Sequence, residues 1–413
     1  MRRVTAAIIG AGHAGLAMSH CLGRRGIEHV VLERGRVAER WRSERWDSLH
    51  LLTPNWMSRL PDWSYQGPDP DGFMTMPEVT SFLEAYAHAS AAPVAEGTEV
   101  HALRRACELF HVETSRGVWQ SRIVVLATGH CDLPLVPAIA RELPPSVHQV
   151  TPSRYRNPAA LPEGGVLVVG ASATGLQIAD ELHRAGRAVS LSVGRHTRVP
   201  RRYRGRDICW WMDRAGVLDE SIAEVADLAR ARTQPSLQLV GAPDRSSLDL
   251  GMLQARGVRV LGRSVAIDGR VMRFRDDLEE TTAAAQRRLE RLLARIDGVA
   301  GAMGAPRDPA AWRSIRLAPS PCALDLAAEG IRSVVWATGY RRDYRWLTLP
   351  VLDDAGEIIH DGGVTPLPGL YVLGLRFLRR RKSSFLDGAG GDAEALAAHI
   401  VGHLANSPSR IAA

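Results

Sequence analysis

The stretch Val4-Thr5-Ala6-Ala7-Ile8-Ile9-Gly10-Ala11-Gly12-His13-Ala14-Gly15 decides the fold. Its apolar run reads as a buried strand, its glycines as a tight turn, and Leu16 to Arg25 as the helix that follows. Each glycine has a mechanical reason. Gly10 permits the turn, Gly12 lets backbone amides approach a diphosphate, and Gly15 lets the helix pack closely on the strand. The helix N-terminus faces the diphosphate with a partial positive charge, which places His13 and Ala14 beside it. Alone, GxGxxG is a weak signal. Here a second strand, His29 to Leu32, follows the helix, and Glu33 closes it 23 positions beyond Gly10. Glu33 can accept from both ribose hydroxyls and would repel a 2′-phosphate. This unit, with Arg34 beside the acid, is expected to hold an unphosphorylated adenosine.

The pattern then repeats. Gly170-Ala171-Ser172-Ala173-Thr174-Gly175 follows the strand Val166 to Val169 and opens a helix from Leu176 to Arg184. Ser172 is small enough for the turn, and its hydroxyl can bond a phosphate. The next strand, AVSLSV, ends without an acid and continues Gly194-Arg195-His196, so Arg195 takes the place that Glu33 has in the first copy. A guanidinium there suits the 2′-phosphate of NADPH, a charge-assisted contact worth ~1.5–3 kcal/mol; the alternative is an Arg195 that simply faces solvent. The adjoining Arg201, Arg202, Arg204 and Arg206 read mainly as a solvated face, with one or two near the phosphate.

Each copy is closed by a β-branched run ending in Ala-Thr-Gly, Ile123 to Gly129 and Val334 to Gly339, so Thr128, Gly129, Thr338 and Gly339 join the expected nucleotide contacts. The alternation from Glu99 to Gln120 predicts antiparallel strands inside the first unit. After the second closing run, the strand-like Pro368 to Leu375 and a helix from about Asp392 to Leu404 need a sheet to join. The expected fold is therefore α/β, with two Rossmann-like dinucleotide-binding domains. The first is discontinuous, 1–155 and 341–413; the second, 156–340, is inserted into it. Pro144, Pro145, Pro152, Pro158 and Pro162 mark the linker. The amphipathic stretch Leu278 to Ile296 is either a helix packed on the second domain or a substrate lid. Trp210-Trp211-Met212 is either core or a hydrophobic substrate wall.

Bulk composition agrees. At 413 residues the chain exceeds one ordinary domain of ~100–200 residues. The net charge of +7 comes almost wholly from arginines spread along the chain, Lys382 being the single lysine, and no nucleic-acid motif accompanies it. Cys21, Cys107, Cys131, Cys209 and Cys322 form neither a CxxC pair nor a metal-ligand cluster. No run reaches the ~18 apolar residues of a membrane span. A cytoplasmic protein without metal, nucleic acid or membrane partners is expected.

With both fingerprints in one chain, the sequence resembles the two-dinucleotide-binding-domain flavoproteins, in which an NAD(P)H domain interrupts an FAD domain. The missing cysteine pair argues against their disulfide reductases. The resemblance is to the class B flavin-dependent monooxygenases and the CzcO-like FAD- and NAD(P)-dependent oxidoreductases. It rests on IIGAGHAG, on Glu33 followed by Arg40-Trp41, on Trp46-Asp47-Ser48-Leu49, on ATGH, on VVGASATG and on WATGY. It implies FAD and NADPH as cofactors, Arg40 and Trp41 near the FAD, Asp387 and Gly388 against the flavin or its ribityl chain, and Asn55 as a catalytic candidate lining the flavin. It implies an enzyme that inserts one oxygen atom of O2 into a small hydrophobic substrate through a C4a-hydroperoxyflavin, with a homodimer left open. One departure bears on the oxygenation step. Where that family carries FxGxxxH, this chain reads Glu142-Leu143-Pro144-Pro145-Ser146-Val147-His148, which keeps only His148 and, further on, Tyr155. An NAD(P)H oxidoreductase without oxygen transfer and a non-catalytic nucleotide-binding redox sensor are the competing readings.

Overall fold

The computed structural model describes residues 1–306, 312 and 314–406; the last seven residues of the expected first domain lie outside the described ones. The apolar opening run forms β1 (Arg2–Ile9), whose second half is fully buried because neighbours cover both faces of the sheet. Then come α1 (His13–Gly23), β2 (His29–Leu32), α2 (Met76–Ala89) and β3 (Val94–Ala95). A meander follows, β4 (Val100–Ala106), β5 (Leu109–Thr114) and β6 (Gly117–Leu126). The sheet runs β3-β2-β1-β6-β5-β4. β6 serves two purposes. Its first half pairs antiparallel with β5, while the strand as a whole lies parallel to β1, with Ile8 opposite Val125. The expected antiparallel insertion and the closing parallel strand are thus one continuous strand.

The second sheet is parallel throughout. Its strands are β7 (His148–Val150), β8 (Gly165–Val169), β9 (Val189–Ser192), β10 (Arg259–Leu261) and β11 (Ile331–Trp336), in the order β7-β11-β8-β9-β10. The helix α3 (Ala173–Arg184) connects β8 to β9. β7 enters this sheet ahead of residue 155, between Pro145 and Pro152 of the proline-marked linker. Short strands Leu133–Pro134 and Tyr340–Arg341 pair antiparallel where the chain leaves the first sheet and where it returns. After that return, β12 (Leu370–Val372) pairs parallel with β6.

Two helices differ from expectation. The amphipathic stretch becomes α4 (Leu278–Ala302), longer than expected, with Ile296 and Ala300 in a cluster that also holds Trp211 and Met212. The tryptophan run is therefore core, and the Trp211 indole donates to the Tyr203 carbonyl at 2.6 Å. The last helix, α5 (Leu386–Asn406), starts six residues early, so Gly388, Gly390 and Gly391 lie within it. Glycine disfavours helix by ~1 kcal/mol per residue, but packing overrides that cost. A Cβ on Gly388 would meet the Lys382 carbonyl at 1.9 Å, and one on Gly390 would touch Pro61 at 3.1 Å.

The same close approach occurs at the fingerprint glycines and gives a stability test. A Cβ on Gly175 would stand 1.8 Å from the Gly170 carbonyl oxygen, whereas one on Gly12 meets no atom within 4 Å. Gly175→Ala should lower the unfolding midpoint by an amount worth at least ~1–3 kcal/mol, the usual cost of overpacking. Gly12→Ala should leave it nearly unchanged in the cofactor-free protein, as chemical denaturation would show.

Candidate functional site

The two fingerprint turns are built alike. Gly10 and Gly170 share φ +107°, and a Cβ on them would strike the carbonyl oxygens of Ala127 (2.6 Å) and Ala337 (2.3 Å). The alanine of each Ala-Thr-Gly run is therefore the floor on which the turn rests. Gly15 and Gly175 press on the carbonyls of Gly10 and Gly170 in the same way. The middle positions differ in chemistry but not in backbone: Gly12 sits at φ −80°, ψ −179° and Ser172 at φ −77°, ψ −174°. That is extended backbone which any residue adopts, so serine replaces glycine there without strain.

Capping separates these two helices from four others, though α4 and the short helix Glu39–Ser43 also lack a side-chain cap. Helices beginning at Met76, Ile208, Leu228 and Leu250 carry a Thr or Asp whose side chain accepts from a first-turn amide. Neither α1 nor α3 has such a bond, although Ser172 could supply one. Their first-turn amides are left for a ligand, and with the dipole behind them they suit a phosphate.

Around the first turn the residues divide. Glu33 accepts from Ala11 N at 2.8 Å through one oxygen and from Gly35 N at 2.9 Å through the other, which fastens the acid to the turn. Each carboxylate oxygen keeps a second lone pair for a ribose hydroxyl. Arg34 is exposed, with Glu44 at 3.7 Å and Asp132 at 3.9 Å. Arg40 donates to the Cys131 carbonyl and to the Asp132 carboxylate, tying its segment to the loop after Thr128 and Gly129. The Arg45 guanidinium lies 5.3 Å over the Trp41 ring. The His13 Nε2 is buried without a partner, and burial, opposed by the nearby Ser384 backbone, lowers the imidazole pKa to about 4. Ala14 is buried against Gly374 at the end of β12.

His130 was not singled out by the sequence. Burial first, then the charges of Arg376, His13 and Arg342, lower it to about 3. Only the fold brings Arg342 and Arg376 to it. The result is an electropositive crevice with a buried, unpaired polar atom at the mouth of α1, which fits an anionic dinucleotide.

At the second turn, Ala173 is buried and Thr174 half-buried in the first turn of α3. Arg195 is exposed and makes a single long contact, 3.4 Å, to the Thr233 carbonyl. His196, expected to touch the nucleotide, turns inward instead: it is fully buried and its Nδ1 lies 3.1 Å from the Gly194 carbonyl. Thr338 donates to the Leu135 carbonyl, and the Gly339 carbonyl accepts from Leu135 N at 2.9 Å, so both hold the linker. Of the four basic candidates further on, Arg201 is buried, bonded to Asp207 and the Leu52 carbonyl, and Arg204 pairs with Asp297. Arg206 lies 5.3 Å over the Trp210 ring and Arg202 donates to the Gly205 carbonyl. Gln238, to which no motif points, donates to the Ala171 carbonyl at 2.7 Å inside the turn itself.

Three candidates lie elsewhere. Asn55 is buried with both ends of its amide engaged, Nδ2 to the Asp69 carbonyl at 2.9 Å and Oδ1 from Met74 N at 2.8 Å. It clasps a loop. The Asp387 carboxylate faces Arg59 at 2.6 Å and Lys382 at 3.0 Å. Gly388 is pinned by the Lys382 carbonyl, and contact with the first turn passes to Ser384. Asp387 and Gly388 line a cavity of about 1090 Å³ that no fingerprint residue reaches, with Arg380 and Lys382 on its wall ion-paired to Asp219.

Residues 7–205 match the family described as pyridine nucleotide-disulphide oxidoreductase. A Geobacillus kaustophilus protein described as an uncharacterized oxidoreductase CzcO-like is 34% identical over 399 residues, covering 96% of this chain and 98% of its own. The chain belongs to the CzcO-like oxidoreductases. The probable indole-3-pyruvate monooxygenase YUCCA4 of Arabidopsis thaliana is 33% identical over 186 residues, 43% of this chain and 44% of that one. Among solved structures, the flavin-containing monooxygenase of Stenotrophomonas maltophilia superposes with TM-score 0.68 at 19% identity, covering 98% and 99% of the two chains. The bacillithiol disulfide reductase Bdr of Bacillus cereus gives 0.63 at 16%, covering 97% and 99%. The shared fold does not separate these chemistries. All five cysteines of this CzcO-like oxidoreductase are free, and burial raises the thiol pKa of Cys131 and pushes those of Cys21 and Cys209 to about 12. No helix among the described residues is long and apolar enough to cross a membrane.

The neutral buried histidines predict an acid-sensitive cofactor-free protein. His13, His196 and His360 are lowered to about 4 and His130 to about 3, so between those values and 6.5 the unfolded chain binds more protons. Stability is therefore held above pH 6.5 and lost as pH falls from there. Asp392, raised to about 6, acts in the opposite sense between pH 6 and 3.8. At pH 5 unfolding should take up roughly three protons net. Denaturation from pH 7.5 to 4.5 should show the decline, and His130→Gln should make it shallower by about one proton.

Proposed function

We propose that this CzcO-like oxidoreductase holds FAD on its first fingerprint and NADPH on its second, and passes one oxygen atom of O2 to a small hydrophobic organic substrate. One observation carries the cofactor part: two uncapped helix N-termini, each behind the same glycine turn, with a carboxylate after one β strand and a guanidinium after the other. The names borne by the plant and Stenotrophomonas relatives support oxygen transfer. In this reading residues 1–147 and 341–406 form the FAD unit and the segment between them the NADPH unit.

FAD, when bound, supplies the redox and oxygen-activating chemistry; the protein positions and shields. The amides of α1 hold its diphosphate, Glu33 takes the ribose hydroxyls and rejects a 2′-phosphate, and His13 and His130 stay neutral beside it. The amides of α3, with the Ser172 hydroxyl, hold the second diphosphate, and Arg195 takes the 2′-phosphate. No side chain is assigned a proton-transfer step. A second reading, NAD(P)H oxidation without oxygen transfer, draws on His148: the one residue kept from the FxGxxxH pattern is exposed at the start of β7.

The test begins with cofactor content. Gly12→Val should fold and fail to retain FAD, because its side chain fills the space open to the diphosphate; a variant purified with stoichiometric FAD would overturn the assignment. Anaerobic NADPH should bleach the flavin, and O2 with a substrate panel should then give oxygenated product. Hydrogen peroxide alone across the panel would favour the second reading. Arg195→Ala should raise the KM for NADPH about thirtyfold, the loss of ~2 kcal/mol, while leaving that for NADH and the limiting rate of bleaching unchanged.

A further inference from the structure

The helix α4 belongs to neither dinucleotide sheet, yet it delivers cations to the place where Arg195 stands. The Arg288 Nη2 donates at 2.6 Å to the carbonyl of His196, the residue after Arg195. Arg195 in turn reaches the carbonyl of Thr233, which follows the short helix carrying Arg230. The arrangement is anchored to the second fingerprint, because Thr197–Arg198 pairs with Leu237–Gln238 and Gln238 bonds the Ala171 carbonyl.

The neighbouring arginines show what is unusual here. Arg198, Arg201 and Arg204 each face a carboxylate, Asp249, Asp207 and Asp297. Arg195, Arg230, Arg287, Arg288 and Arg291 form no ion pair with any described carboxylate. Arg288 is half-buried, and its Nε, like that of Arg201, is fully enclosed with no hydrogen-bond partner, but no carboxylate offsets its charge as Asp207 does for Arg201. A desolvated N–H without an acceptor is costly, and more so when it is charged. Burial, and then repulsion from Arg291, Arg195, Arg230 and Arg287, lower the Arg288 pKa. An arrangement this costly calls for a bound anion.

We propose that Arg288 of α4 is a second ligand of the NADPH 2′-phosphate, acting beside Arg195, so that a helix outside the dinucleotide fold sets cofactor choice. The inference rests on the NADPH reading of the second unit. A phosphate dianion is the ligand that chemistry selects. Its three oxygens can accept from two guanidinium forks at once, and its charge offsets the repulsion among the arginines. Arg287 and Arg291, exposed on the same helix, add field rather than contact.

The probes are 2′,5′-ADP and 5′-AMP, which share the adenosine and differ in the 2′-phosphate, titrated calorimetrically into the FAD-loaded protein. Arg288→Gln should weaken 2′,5′-ADP about tenfold to a hundredfold and leave 5′-AMP unchanged, and Arg288→Lys should recover part of the loss. Equal weakening of both probes would make Arg288 structural and overturn the proposal. So would an Arg288→Gln protein that binds 2′,5′-ADP as the wild type does while Arg195→Ala loses it, an outcome that keeps the NADPH reading. A wild type that binds both probes alike would overturn that reading and this inference together. Unfolding midpoint and FAD content, measured on each variant, identify a protein that has not folded.

Discussion

The close approach of a helix to the end of a strand is the constraint on which the molecule depends. At both turns a carbonyl oxygen occupies the space where a side chain would stand, at 1.8–1.9 Å from the Cβ position of the last glycine. That contact lets α1 and α3 begin directly over the sheet, with their first amides aimed past its edge. It also fixes the segment below: each turn rests on a backbone carbonyl, that of Ala127 or Ala337. A strand, two glycines and a distant alanine are thereby coupled, and the Ala-Thr-Gly echo is as much a packing requirement as a binding one.

On this common frame, charge distinguishes the two units. The first is closed by Glu33, clamped by two backbone amides, and the second by Arg195, held by one long bond. A clamped carboxylate presents its remaining lone pairs in a fixed direction, as recognition of a diol requires. A loosely held guanidinium is free to follow a phosphate. The burial that keeps His13 and His130 neutral spares the first crevice further positive charge, while near the second unit Arg287, Arg288 and Arg291 of α4 stand without an ion pair among the described residues.

The units are joined by little regular structure. The strands Leu133–Pro134 and Tyr340–Arg341 pair across the two crossings of the chain, and Thr338 is bonded to that linker. A further tie is Arg201, buried in the second unit and bonded to the Leu52 carbonyl of the first. These contacts consume residues that motif reading gives to the nucleotides. The loops near the sheets carry mechanical duties that a motif does not announce.

The sequence by itself determined the local architecture. Strand, turn and helix in both fingerprints, the meander from Val100 onward and the return of Leu370–Val372 to the first sheet all follow from apolar periodicity and glycine placement, which act over a few residues. It also determined the charge contrast between Glu33 and Arg195, because Glu33 lies one residue and Arg195 three past a strand end. Only the tertiary structure decided what long-range contacts impose. It made Asn55 a loop clasp, turned His196 inward, drew α5 back to Leu386 through glycine-rich sequence, gathered Arg342 and Arg376 around His130, and set Arg288 against the carbonyl of His196. A side chain's function in these cases depends on partners tens to hundreds of residues away, and no local pattern encodes where packing will place them.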